Sequence, residues 1–125
     1  MAYYDTIYLV QGDTLPEVQL VLRDSNTPVP GVTLDPDNEE TWRPIDVTDA
    51  VVRVKMRPLG EETVTATITC GKEAPFTSGK VFFQFDDGAL DVEEGVYEGE
   101  IELTYTSGAV QTVYDKLKFN VREQF

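Results

Sequence analysis

The sequence predicts an all-β chain, a single antiparallel sandwich of about seven strands. Three observations carry this. Short runs alternate apolar and polar residues with period two, turn signals built on Gly, Pro, Asn and Asp separate them, and no segment sustains an apolar stripe at helical spacing. The clearest case is the last third, where Tyr97, Ile101, Leu103 and Tyr105 share one parity and Glu98, Glu100, Glu102 and Thr104 the other. A Thr106-Ser107-Gly108 turn follows, and then Leu117, Phe119 and Val121 face one way while Lys116, Lys118 and Arg122 face the other. That is the pattern of a half-buried β-hairpin.

Taken in order, the first strand is expected over residues 3–11, ending at Gly12-Asp13. The second spans 15–24, with Val18, Leu20 and Leu22 on its core face. A long connection, 25–49, leads to the third at 50–57, where Ala50, Val52, Val54 and Met56 alternate with Arg53, Lys55 and Arg57. Pro58 and Gly60 stop it. The fourth, 62–70, turns Val64, Ala66, Ile68 and Cys70 inward and threonines outward; the fifth, 80–85, buries Val81, Phe83 and Phe85. Residues 86–94 suit one helical turn around Ala89, Leu90 and Val92. Strands six and seven are the terminal hairpin.

Parity constrains that hairpin. A two-residue Ser-Gly loop would set acidic positions of one arm against apolar positions of the other, which the pleat forbids. A three-residue loop, 106–108, with Gly108 left-handed restores the match and pairs Glu98 with Lys116 and Tyr97 with Leu117. The core parity of the last arm also carries Asp115, a candidate buried acid or bulge position.

Charge predicts sheet order. The third and seventh strands have mainly basic outward rows and the sixth an acidic one. An immunoglobulin-type sandwich puts the sixth between them. One face would then read Arg53, Lys55 and Arg57, then Glu98, Glu100 and Glu102, then Lys116 and Lys118, a structural charge ladder. These five bases and three acids leave five bases and 20 acids for the rest of the surface.

Composition limits function. The 125 residues fit one domain, and the lone Cys70 allows neither an internal disulfide nor a cysteine zinc site. There is no histidine, so Ser-His-Asp and Cys-His catalysis are impossible within this chain. A net charge of −13 argues against nucleic acid and against anionic membranes. No apolar run has the length of a membrane span, and the N-terminus lacks a secretory pattern, so synthesis in a reducing cytosol is expected. No cofactor is expected.

Other constellations are weak. Asp35-Pro-Asp37-Asn38-Glu39-Glu40 resembles the start of a calcium loop, but its sixth residue is Glu40 rather than glycine and its twelfth is Asp46, so a solvated acidic loop is expected. Paired carboxylates could serve a hydrolase, but they arise by chance in so acidic a chain. Cys70 alternates with apolar residues and reads as core packing. Trp42, in a polar connection, either caps one end of the sandwich or stands exposed as an anchor for a protein or a sugar ring. With Arg43 and the N-terminal Tyr3 and Tyr4 it forms the candidate partner-contact set, and Phe125 raises the same question.

Three segments share a resemblance. They are Gln11-Gly-Asp-Thr14; Pro44-Ile-Asp-Val-Thr-Asp-Ala-Val-Val-Arg-Val-Lys-Met-Arg57; and Glu94-Gly-Val-Tyr-Glu-Gly-Glu-Ile-Glu-Leu103. In this order, the chain from about Tyr8 to Val121 resembles the immunoglobulin-like N-terminal domain of phage baseplate upper proteins and similar small bacteriophage tail proteins. The resemblance implies a non-enzymatic virion component, made in the host cytoplasm, docking onto tail, baseplate, neck or fibre proteins in multiple copies. Two departures stand out. The chain inserts residues 31–43 where the family has a short turn, and it reaches Phe125 without the fibre or receptor-binding region that usually follows, the expectation for a stand-alone adaptor. A head decoration protein and a carbohydrate-binding module recognising host-surface glycan are the alternatives.

Overall fold

The structure, a computed structural model, describes residues 6–85, 88–113 and 116–124. The described residues form eleven strands: β1 (Ile7–Val10), β2 (Val18–Val21), β3 (Arg23–Pro28), β4 (Trp42–Pro44), β5 (Ala50–Pro58), β6 (Ala66–Thr69), β7 (Gly71–Lys72), β8 (Lys80–Phe83), β9 (Gly95–Tyr105), β10 (Val110–Thr112) and β11 (Leu117–Arg122). This is four more than the expected seven. The expected second strand holds β2 and only the start of β3, whose remainder lies with β4 in the long connection; the expected fourth holds β6, and β7 follows just beyond its end; the last arm divides into β10 and β11.

Two sheets face each other. The larger runs β1-β11-β9-β5-β6, with β10 continuing beside β9, and the smaller runs β2-β8-β7. The expected central order holds, with β9 lying between β5 and β11. The stretch from β6 to β7 crosses from one sheet to the other, so the sandwich is stitched by the chain itself. An immunoglobulin-like signature sits at the start of β9. The Tyr97 hydroxyl donates to the Glu93 carbonyl 2.6 Å away, a tyrosine corner that fixes how the chain enters the strand. The fold is an all-β, immunoglobulin-like sandwich.

The core follows the alternation. Ala50, Val52, Val54 and Met56 of β5 are buried against Leu22, Val81 and Phe83 of the opposite layer, with Ile101, Leu103, Leu117 and Phe119 completing the set. Phe119 bridges the sheets edge-on to Phe85 (5.9 Å between centroids), which meets Phe83 at 5.6 Å. Such T-shaped pairs add about 0.5–1.5 kcal/mol beyond burial. Gly99 lets Phe119 in, because a β-carbon there would lie 2.8 Å from its ring. Lys72 ties the smaller sheet to the approach to β5, its ammonium donating to the carbonyls of Val47, Thr48 and Ala50.

Four expectations need correction. The sandwich is not wholly antiparallel: β1 pairs with β11 in parallel, Ile7 opposite Phe119. Val64 is exposed rather than inward, because the ordered strand begins only at Ala66. The helical turn expected around Ala89, Leu90 and Val92 is shorter, one hydrogen-bonded turn closed by Asp91 N–H to the Gly88 carbonyl, with Leu90 buried. The hairpin changes register. Near the turn Val110 faces Thr104 and Thr112 faces Glu102, as a three-residue loop with left-handed Gly108 (φ 88°) requires. Beyond it the last arm has slipped by two residues, so Glu98 faces Lys118 and Tyr97 faces Phe119. Asp115, the candidate buried acid or bulge position, lies outside the described residues.

Candidate functional site

The outward rows of β5, β9 and β11 build the first candidate surface. Arg53 lies opposite Glu102, Lys55 opposite Glu100 and Arg57 opposite Glu98. The ion pairs run partly on the diagonal: Lys55 Nζ to Glu102 Oε2 at 3.0 Å, Arg57 Nη2 to Glu98 Oε1 at 2.7 Å, and Lys116 Nζ to Glu98 Oε2 at 3.7 Å. Lys116 thus reaches Glu98 although Lys118 holds the register position. Among the described residues Arg53 makes no ion pair.

Depth matters more than pairing here. The Glu98 and Glu102 side chains are 8% and 22% exposed, whereas those of Lys55, Arg57 and Lys116 are 38%, 36% and 36% exposed. The carboxylates lie beneath and the cationic ends cover them. Six of the ten basic residues of the sequence (Arg53, Lys55, Arg57, Lys116, Lys118 and Arg122) belong to this face, against three acids among the described residues of its strands, Glu98, Glu100 and Glu102. Tyr8, Val51, Val64, Val96 and Val110, all exposed, add apolar area to the same face. The cross-strand register explains the placement. Tyr8 and Val96 flank Asn120, and Val51 and Val110 flank Thr104.

The second candidate surface surrounds the inserted segment. Residues 23–44 fold back as the β3–β4 ribbon, capped by a short 3-10 turn, Glu39–Thr41, whose N-cap Asn38 accepts from Glu40 N–H. A cleft of about 570 Å³ separates this ribbon from β10, with Arg23, Asp37, Trp42 and Gln111 on its walls. It adjoins a hollow of about 370 Å³ lined by Arg43, Asp46 and Tyr105. Most polar groups here serve local structure. Arg23 donates to the Trp42 carbonyl, and the Asp24 carboxylate accepts from Asn26 N–H and the Thr27 hydroxyl. Bonds from the Thr48 hydroxyl and N–H hold the Asp46 carboxyl below the usual carboxylate range, with the nearby Arg43 charge a smaller cause.

Of the expected contact residues, Arg43 is exposed at this hollow. Trp42 is not an exposed anchor. It is 3% exposed, because the acidic run 35–40 folds over it and the Asp35 carbonyl takes its indole N–H at 3.0 Å. Its structural role as a cap is the one it fills. Tyr3, Tyr4 and Phe125 lie outside the described residues. Among the described residues no three His, Cys, Asp or Glu side chains converge as metal ligands would. Asp35 instead accepts from Asp37 N–H, so the acidic run uses its oxygens for turns. The pattern missed Lys72, whose three-carbonyl grip has no periodic signal.

No family model matches the chain, and no curated protein matches it. Among solved structures it is similar to CopC from Methylosinus trichosporium OB3b, with 8% identity, TM-score 0.41, and coverage of 95% of this chain and 87% of that one. It is also similar to murine CRIg, with 8% identity, TM-score 0.35, and coverage of 94% and 92%. At these scores the likenesses carry no argument about function.

Proposed function

We propose that this protein is a non-enzymatic structural component of a bacteriophage virion, an adaptor in the tail, baseplate, neck or fibre-attachment region that works through protein–protein contacts. The observation that carries the reading is the outward face of the larger sheet. Part-exposed cationic side chains and exposed apolar side chains share one sheet face, so that apolar area and polar groups adjoin as they do in protein interfaces. The motifs behind the phage resemblance lie on the same frame, with the second ending on β5 and the third on β9. The burial of Trp42 removes it from the aromatic stacking platform on which the glycan-binding reading relies.

Mass spectrometry of purified particles from a phage encoding this chain, followed by localisation in a virion reconstruction, tests the proposal. Density on the tail or neck supports it. Density on the head shell replaces it with a decoration role, and absence from the particle overturns it.

A further inference from the structure

We infer that the cationic outer face of the β1-β11-β9-β5-β6 sheet docks onto the acidic run 35–40 of a second copy of this chain. The inference rests on the structural-adaptor reading and names its partner.

The molecule carries both halves of the complementarity. The face holds six of the ten bases, whereas the run Asp35, Asp37, Glu39 and Glu40 holds four acids and no base in six residues. Among the described residues no ion pair links the two, so neither neutralises the other within one chain. The acidic run is pre-ordered. Asp37 N–H donates to Asp35 Oδ1, Glu40 N–H donates to Asn38 Oδ1, and the Trp42 indole anchors the Asp35 carbonyl. The carboxylates of Asp37 and Glu40 take no part in these bonds, and both residues are exposed. A pre-ordered loop loses little freedom on docking. On the receiving face, Val51, Val64, Val96, Val110 and Tyr8 supply apolar area around the charges. Repulsion between two chains of charge −13 opposes contact at long range, but the Debye length at physiological salt is about 8 Å, so the local face governs at contact. One such contact per pair of copies is head-to-tail and builds rings or open chains, whereas two reciprocal contacts about a two-fold axis close a dimer, and the size of the species formed distinguishes the two.

Sedimentation velocity of the full chain over a wide concentration range tests this, with two charge-reversed proteins. One carries Arg53→Glu and Lys55→Glu on the face. The other carries Asp37→Lys and Glu40→Lys, which remove no hydrogen bond of the loop. Arg53→Glu alone is a further variant, expected to weaken association in the same direction, since Arg53 makes no ion pair among the described residues. The wild type is expected to associate with rising concentration, and less at about 1 M salt, where the Debye length falls to about 3 Å. Each reversed protein alone is expected to stay monomeric, and a mixture of the two to associate again, because each reversed surface then meets its complement. A wild type that stays monomeric throughout, or a mixture that does not recover association, overturns the inference. Either result leaves the particle-composition test of the adaptor reading untouched.

Discussion

Glu98 carries an unusual load for one side chain. It is 6% exposed, the one buried charged residue among those described, and it sits on the face that should meet solvent. Arg57 and Lys116 close over it: Arg57 gives its carboxylate a charge-assisted hydrogen bond at 2.7 Å and Lys116 an ion pair at 3.7 Å. Removing it takes from Arg57 and Lys116 the carboxylate they close over and leaves Glu100 as the other acid lining that small hollow. Because both cations are about a third exposed, they recover part of their hydration, which discounts the loss. Glu98→Ala is therefore expected to lower stability by about 1–3 kcal/mol in urea titration. Glu100→Ala, which removes no ion pair among the described residues, is expected to stay within about 0.5 kcal/mol. Equal effects of the two would show that the buried position of Glu98 contributes nothing.

The terminal hairpin shows which features of an element are legible in sequence. Parity alone demanded an odd loop, and Tyr105 does pair with Ala109 around residues 106–108. The two-residue slip further along was invisible for a physical reason. An insertion of two residues leaves every side chain on its own face, so Phe119 and Val121 stay buried in either register. Parallel pairing of β1 escaped likewise, since alternation is the same for both strand directions. The sheet order was legible because charge rows differ between strands. The tyrosine corner at the other end of β9 is a bond between i and i−4 with no periodic signal; alternation places Tyr97 inward and says nothing of its hydroxyl. Tyr97→Phe keeps the ring in the core and deletes the 2.6 Å bond to Glu93. It is expected to cost about 1–2 kcal/mol and to speed amide exchange at the start of β9 more than at its end. Unchanged exchange there would mean that the corner does not hold the strand entry.

At the scale of the whole molecule, charge is segregated and protons are held tightly in the interior. The first was partly legible from the alternating rows, although the burial of acids beneath bases was not, because alternation gives a side chain's face and not its depth. Trp42 shows the same limit: its polar neighbours leave both a cap and an exposed anchor open in the sequence, and the structure makes it the cap because those neighbours fold over it. Proton retention yields a prediction for the fold as a unit. Burial pushes the Cys70 thiol from 9.0 up to about 12. Burial also raises the Tyr97 phenol, with the charges of Glu93 and Glu61 adding to it. Tyr105 is raised by burial and then by Asp24 and Asp46. In each case the folded chain keeps a proton that the unfolded chain gives up sooner. From about pH 9 upward the unfolded state therefore binds fewer protons, and stability falls as pH rises. Below that pH these groups are protonated in both states and their contribution is constant. Urea midpoints measured from pH 7 to pH 11 are expected to be flat at first and to decline beyond about pH 9, with a shallower decline in Cys70→Ala than in the wild type. Within the same range the native thiol is expected to resist alkylation and to react only on unfolding, since a buried thiol with so high a pKa offers little thiolate. Rapid labelling of the native protein at pH 8, or identical alkaline slopes for the variant and the wild type, would show that Cys70 is not held in the dry interior between the two sheets.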